Sequence, residues 1–206
     1  MAITTYAELK SAVSDFLNRD DLDAVVPTFI SLAEAGIDRD LRHFKMIKRA
    51  DATLDSRYVQ IPTDWMETVR FSITSGDTYR LELISRDDML QYRQNTKNTP
   101  GRPRFYANIG ESIEVFPTPN AEYTMQLQYY ARTPALSDTN AKNWLLTDAP
   151  DVYLHGALIQ SAPYLKDDAR TQTWAALYSA ALQSLQKASD DTRFAGSGLR
   201  MRITSY

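Results

Sequence analysis

Four pairs of adjacent aspartates, two histidines and one basic cluster are the side chains whose types and spacing could do chemistry. The pairs are Asp20-Asp21, Asp87-Asp88, Asp167-Asp168 and Asp190-Asp191. Paired carboxylates serve acid–base catalysis or bind calcium. Each pair falls where a helix is expected to begin or end, and a helix N-terminus draws acids through its dipole and its free N–H groups. Capping is therefore the reading for the first three pairs, and the EF-hand ligand spacing is absent around all four. His43 and His155 each fall in an expected helix, where a lone histidine is more often packed or solvated than catalytic. HExxH, GxSxG, P-loop and GxGxxG patterns are all missing. Lys97, Arg102 and Arg104 in "NTKNTPGRPR" could touch phosphate. No basic stripe or aromatic platform accompanies them, so a solvated loop is the simpler reading.

Composition narrows the classes further. The 206 residues carry a formal charge of −3, which disfavours a general nucleic-acid binder, since such proteins carry a basic excess. Cysteine is absent, which removes disulfides, thiolate metal sites and a Cys nucleophile. "MAITTYAELKSAVSDF" has no basic region followed by an apolar run, so no signal peptide is expected. No apolar run approaches the roughly 18 residues of a membrane span. The expectation is a chain with no catalytic residue, metal or cofactor.

The elements that must position any site divide the chain in three. Thr5 with Glu8 forms a capping box before Leu9, Val13, Phe16 and Leu17, which share one helical face. A second helix is expected over Pro27–His43, with the face Phe29, Ile30, Ala33, Ile37 and Leu41. From Met46 the period changes to two. Strands are expected at "MIKRADATL", "RYVQI", "TVRFSI", "TYRLELI", "RFYANI", "SIEVFP" and "EYTMQLQYYA", with a short helix capped by Ser85. Helix returns after "RTPALSDTNAKN". Thr147 or Asp148 is the expected cap, and Pro163 the expected kink or end. The last helix starts near Asp167 and presents Trp174, Leu177, Tyr178, Ala181, Leu182 and Leu185 on one face. The fold class is α+β: residues 1–45 and 144–189 form a helical bundle around an inserted antiparallel β-domain over 46–131. Trp144, Leu145, Tyr153, Trp174, Leu177 and Tyr178 are the candidates for packing within the helical layer or between subunits.

Residues 190–206 read as an extended tail. Leu199, Met201 and Ile203 alternate with Arg200, Arg202 and Thr204 behind the Gly196-Ser197-Gly198 hinge. A lone strand has unpaired backbone groups on both edges and calls for a partner. The bland alternative is a chain end that pairs with nothing.

"ITTYAELKSAVSDFLNRDDL", "FISLAEAGIDRDLR", "NWLLTDAPDVYLHGALIQSAPYLKDDAR" and "WAALYSAALQSLQ" resemble the head-to-tail adaptor proteins of tailed bacteriophages. The likeness is to the adaptor group that includes tail-tubular-protein-A-like and gene-transfer-agent members. It implies a helical bundle from both chain ends with a β-domain inserted, and a structural role in the virion neck after assembly in the host cytoplasm. It also implies a ring, typically of twelve copies, that extends the DNA channel without sequence-specific binding. The implied partners are the portal protein, further copies of the chain, and a tail, stopper or nozzle protein below. Such adaptors anchor in the portal through C-terminal tails, which makes Gly196, Gly198, Leu199, Arg200, Met201, Arg202, Ile203 and Tyr206 the candidate portal-binding residues. The alternative from a different class is a ligand- or carbohydrate-binding β-domain protein of a phage tail. It would need a planar set of exposed aromatics, and only one tryptophan, Trp65, lies in the strand block.

Overall fold

The computed structural model describes residues 2–19, 21–165 and 170–194. They form two compact units. One joins the residues up to Lys45 with those from Thr133 onward; the other is Met46–Arg132.

The first unit is helical. Helix α1 (Tyr6–Leu17) opens on the expected capping box. The Glu8 N–H donates to the Thr5 hydroxyl at 3.3 Å, and the Thr5 N–H donates to the Glu8 carboxylate at 2.9 Å. The chain leaves α1 through left-handed Asn18. Leu9, Val13 and Leu17 are buried, but Phe16, expected on the same face, is 55% exposed. It sits on the flank of that stripe in the last turn, and Ala12 and Tyr6 complete the buried face instead.

Helix α2 (Val26–Asp40) carries Pro27 in its first turn and buries Val26, Phe29, Ile30, Ala33 and Ile37. It stops earlier than the sequence suggests. Leu41 turns extended, which buries its side chain and ends the helix with its N–H on the Ile37 carbonyl. His43 therefore lies beyond the helix and not inside it.

The return starts sooner than expected as well. Asn143, not Thr147 or Asp148, supplies the cap: its side-chain oxygen accepts the Leu146 N–H at 2.8 Å and opens the short helix α4 (Trp144–Asp148). Helix α5 (Pro150–Leu165) then begins at its proline and ends two residues after Pro163. Helix α6 (Thr171–Phe194) follows. It runs past the expected end at 189, so residues 190–194 are helical; the Thr192 hydroxyl bonds back to the Ala188 carbonyl at 2.8 Å.

Helix α5 is the centre of this unit. Val152, Tyr153, Leu154, Gly156, Ala157, Leu158, Ser161 and Ala162 are all buried, so apolar side chains surround the axis, as they do in a helix enclosed by others. It packs against α1, α2, α4 and α6. Gly156 permits the close approach: a Cβ there would lie 3.2 Å from Ala33 Cβ on α2 and 3.4 Å from the Tyr178 ring on α6.

The second unit is a two-sheet sandwich. One sheet has the order β1 (Ile47–Leu54), β8 (Tyr123–Ala131), β3 (Trp65–Ile73), β4 (Tyr79–Arg80). The other has the order β2 (Tyr58–Gln60), β7 (Ser112–Phe116), β6 (Phe105–Ile109), β5 (Glu82–Leu83). Leu54, Phe71, Ile73, Met125, Leu127 and Tyr129 from the first face Tyr106, Ile113 and Val115 from the second in one core. Helix α3 (Arg86–Asn95) covers the far side of the second sheet. Ser85 accepts the Asp88 N–H at its start, and Met89 packs on Ala107 and Phe116.

"TYRLELI" was expected as one strand in an antiparallel block. It is two, β4 and β5, in different sheets, and β5 pairs with β6 in parallel. The break is at Leu81, whose side chain is fully buried in the inter-sheet core while its N–H bonds the Phe71 carbonyl at 2.8 Å. Burying that one side chain turns the strand across the corner of the sandwich.

Replacing Gly156 by Val places branched carbons against Ala33 and Tyr178 and should destabilise the protein by about 1–3 kcal/mol, the usual range for overpacking. Chemical denaturation measures it; an unchanged midpoint would show that α5 has room there.

Candidate functional site

The six helical-layer candidates separate by exposure. Leu145 and Tyr153 are fully buried and Trp174 nearly so, while Trp144 and Tyr178 are half-buried. Leu177 is 45% exposed. Along α6, Tyr178, Ala181, Leu182 and Leu185 are half-buried and Ser189 is buried, so one stripe faces inward and Leu177 lies off it. Phe16, Leu32 and Tyr164, at 55%, 48% and 57% exposure, are further large apolar side chains left to solvent on this unit. Phe29 meets the Tyr164 ring edge-on at 5.7 Å. The portal-binding candidates, Gly196, Gly198, Leu199, Arg200, Met201, Arg202, Ile203 and Tyr206, lie outside the described residues.

Tyr153 is held by a polar network. Its hydroxyl accepts from the Asn143 amide at 2.7 Å and donates to the Glu34 carboxylate at 3.4 Å. Glu34 also accepts the Leu136 N–H at 2.7 Å, and the Asn143 amide donates to the Pro134 carbonyl at 2.9 Å. Burial pushes the Glu34 carboxyl above the ordinary range, against the two hydrogen bonds it accepts. Burial also raises the Tyr153 hydroxyl strongly, and the Tyr178 hydroxyl up to about 12 with help from the Asp40 carboxylate. These hydrogen bonds brace the 133–143 connection against α2 and α5.

Trp144 stacks on His43 with ring centroids 4.9 Å apart and planes 16° from parallel. Phe44 lies on the same imidazole at 4.6 Å. His43 is 3% exposed; burial depresses its pKa, and the neighbouring Lys45 charge adds to that against the pull of Asp148. Lys45 and Asp148 form an ion pair. The Phe44 N–H donates to Ser189 on α6 at 2.9 Å. His155 lies in α5 as expected, and its Nδ1 is buried without a hydrogen-bond partner among the described residues.

The acidic pairs scatter. Asp21 makes a two-point ion pair with Arg19 at 2.6 Å, Asp87 and Asp88 sit in the first turn of α3, and Asp190 and Asp191 lie inside α6. Asp20, Asp167 and Asp168 lie outside the described residues. Among the described residues no cluster of three or more His, Asp or Glu side chains could hold a metal.

In the sandwich, sequence reading missed a buried ionic cluster. The Arg93 Nε donates to the Glu114 carboxylate at 2.8 Å, and Arg57 donates to the same oxygen at 2.8 Å. Arg93 also reaches Asn98, Thr118 and the Val115 carbonyl, and its guanidinium lies 5.1 Å from the Phe116 ring centroid. The legible signal was a glutamate inside the apolar strand "SIEVF", where a charge must find a partner. Trp65 is packed against the sandwich core, with its indole N–H on Thr68 at 3.1 Å, and forms no exposed platform.

Internal polar networks thus stand beside uncovered apolar side chains on the helical unit. The chain belongs to the SU10 adaptor protein family: the family model of that description matches residues 4–202. It is a head-to-tail adaptor of the tailed-phage kind, a structural component of the virion neck. No curated protein matches the chain. Among the described residues no helix is long and apolar enough to cross a membrane.

Two measurements follow from this packing. Trp174→Ala should cost about 3–5 kcal/mol, whereas Leu177→Ala, largely in water, should stay within about 0.5 kcal/mol in chemical denaturation of the free protein. Equal losses would place Leu177 in the core. His43 is ordinary, near 6.5, in the unfolded chain and depressed in the fold. The unfolded state therefore takes up the proton first, and stability falls as pH drops below about 6.5 until the folded His43 also titrates. Glu34, raised in the fold, acts in the opposite direction at lower pH. His43→Gln should flatten the decline; an identical slope in the variant would assign it to other groups.

Proposed function

We propose that the protein forms a ring of twelve copies between the portal and the tail, extending the DNA channel and offering the tail its attachment surface. The observation that carries the reading is the family match across residues 4–202, which includes the candidate portal-binding residues up to Arg202. Phe16, Leu32, Tyr164 and Leu177 support it as candidates for contacts between copies, because neighbouring subunits would cover them. The net charge of −3 per copy accumulates in a ring, and a negative lumen would let DNA slide without sticking.

The portal anchor in this reading is Leu199–Tyr206, added as a strand to an edge of the portal or of a neighbouring subunit. Ordering about five residues costs roughly 5–10 kcal/mol. About four backbone hydrogen bonds return roughly 2–6 kcal/mol, and burying Leu199, Met201 and Ile203 roughly 4–9 kcal/mol. One tail is therefore near balance, and a ring that holds many tails at once makes the joint tight through effective concentration.

The experiment mixes the full chain, or a chain ending at Phe194, with portal-bearing heads and images the product by electron microscopy. The full chain should add a ring at the portal vertex. The shortened chain should melt like the full one and fail to join. Undiminished assembly by the shortened chain would remove the tail as anchor, and no ring from either chain would remove the reading itself.

A further inference from the structure

The basic loop that the adaptor role leaves unexplained does not stand alone in the fold. Arg102 and Arg104 come together with Arg80 in a cleft of about 440 Å³ at the corner of the sandwich. Asp77 and Glu82 complete its charged lining, with Tyr79 and Phe105 as its apolar walls. Lys97, the third basic residue of the loop, is not part of it.

The corner exists because Leu81 is buried. That burial hands the chain from β4 to β5, so Arg80 and Glu82 on either side of Leu81 both face the cleft. The Glu82 N–H donates to the Arg104 carbonyl at 2.9 Å, which places Arg104 beside β5. The Tyr79 hydroxyl donates to the Pro103 carbonyl at 2.7 Å and fixes the loop between Arg102 and Arg104.

Arg102 is pre-organised. Its guanidinium lies 4.4 Å from the Tyr79 ring centroid, and one Nη donates to the Asp77 carbonyl at 3.0 Å. Arg80 and Arg104 are exposed, and neither side chain has a hydrogen-bond or ion-pair partner among the described residues. Arg19, Arg49, Arg57 and Arg93, by contrast, are held in ion pairs. Three guanidinium groups converging on one cleft, two of them unpaired, form a receptor for oxyanions, since a guanidinium fork binds a carboxylate or phosphate through two parallel hydrogen bonds.

The lining decides between those anions. Asp77 and Glu82 leave the cleft only one charge positive. A phosphodiester backbone, which carries no hydrogen-bond donor of its own, would meet both carboxylates unfavourably. A polypeptide carries spaced carboxylates and backbone N–H donors, which suit arginines and acids side by side. β4 is also the outermost strand of its sheet, so an extended segment can lie along it.

We propose that this cleft docks an acidic, extended segment of a partner protein, with its carboxylates on Arg80, Arg102 and Arg104. The inference concerns the free chain and does not depend on the ring. The test titrates full-length protein into fluorescein-labelled hexaglutamate at low salt and follows fluorescence anisotropy. Saturable binding is expected, weakened at least tenfold in Arg80→Ala/Arg104→Ala, a variant that should melt like the parent because both side chains are exposed. Absence of saturable binding, or equal binding by the variant, would overturn the proposal. So would displacement of the peptide by pyrophosphate or a DNA duplex at lower concentration than by unlabelled hexaglutamate, which would make this a phosphate site. Loss of self-association in the variant, seen by sedimentation without any hexaglutamate binding, would make it a contact between copies instead.

Discussion

The burial of α5 is the constraint on which the helical unit depends. A helix with buried side chains on every side cannot lie at a surface, and it needs neighbours around its whole circumference. The chain supplies them from both ends: α1 and α2 come before the β unit, and α4 and α6 after it. Neither end alone encloses α5. The sandwich over Met46–Arg132 is therefore an insertion between parts of one core, and its own core closes without any helix from the ends. Gly156 sets how tightly this can be done, because its missing Cβ lets α2 and α6 approach the same point on α5.

Each unit also buries a polar cluster, and in each the cluster ties an irregular segment to a regular one. In the helical unit, Asn143, Tyr153 and Glu34 fasten the 133–143 connection, which has no ladder of its own to satisfy its backbone. In the sandwich, Arg93 joins α3 to β7 through Glu114 and holds Asn98 and Thr118 beside it. Removing one member of such a cluster leaves the others buried and unpaired, which costs more than the net value of the pair.

An adaptor's function puts its demands on surfaces, and the chain's chemistry is distributed to match. The Asn143–Tyr153–Glu34 and Arg93–Glu114 clusters are paired inside, while Phe16, Leu32, Tyr164 and Leu177 remain in water on the helical unit and Arg80 and Arg104 have no side-chain hydrogen-bond or ion-pair partner among the described residues of the sandwich. Uncovered apolar side chains and unpaired guanidinium groups are the two kinds of surface that gain most from a partner. Family membership over residues 4–202 gives those partners their setting in the phage neck.

Local signals were legible in the sequence. The capping box at Thr5 and Glu8, the Ser85 cap and the period-2 pattern of β8 are set within a few residues, and they formed where the pattern placed them. The α+β class followed from the order of those elements. What the tertiary structure alone decided were matters of competition for burial. Leu41 ends α2 early by turning inward, Leu81 splits one strand between two sheets, and Phe16 and Leu177 lose their places in the core although their spacing is right. Periodicity records which side chains are apolar; it cannot record how many of them the neighbouring elements will cover. The convergence of Arg80 with Arg102 and Arg104 is of the same kind, since residues some twenty positions apart meet only because the buried Leu81 turns the chain across the sandwich corner.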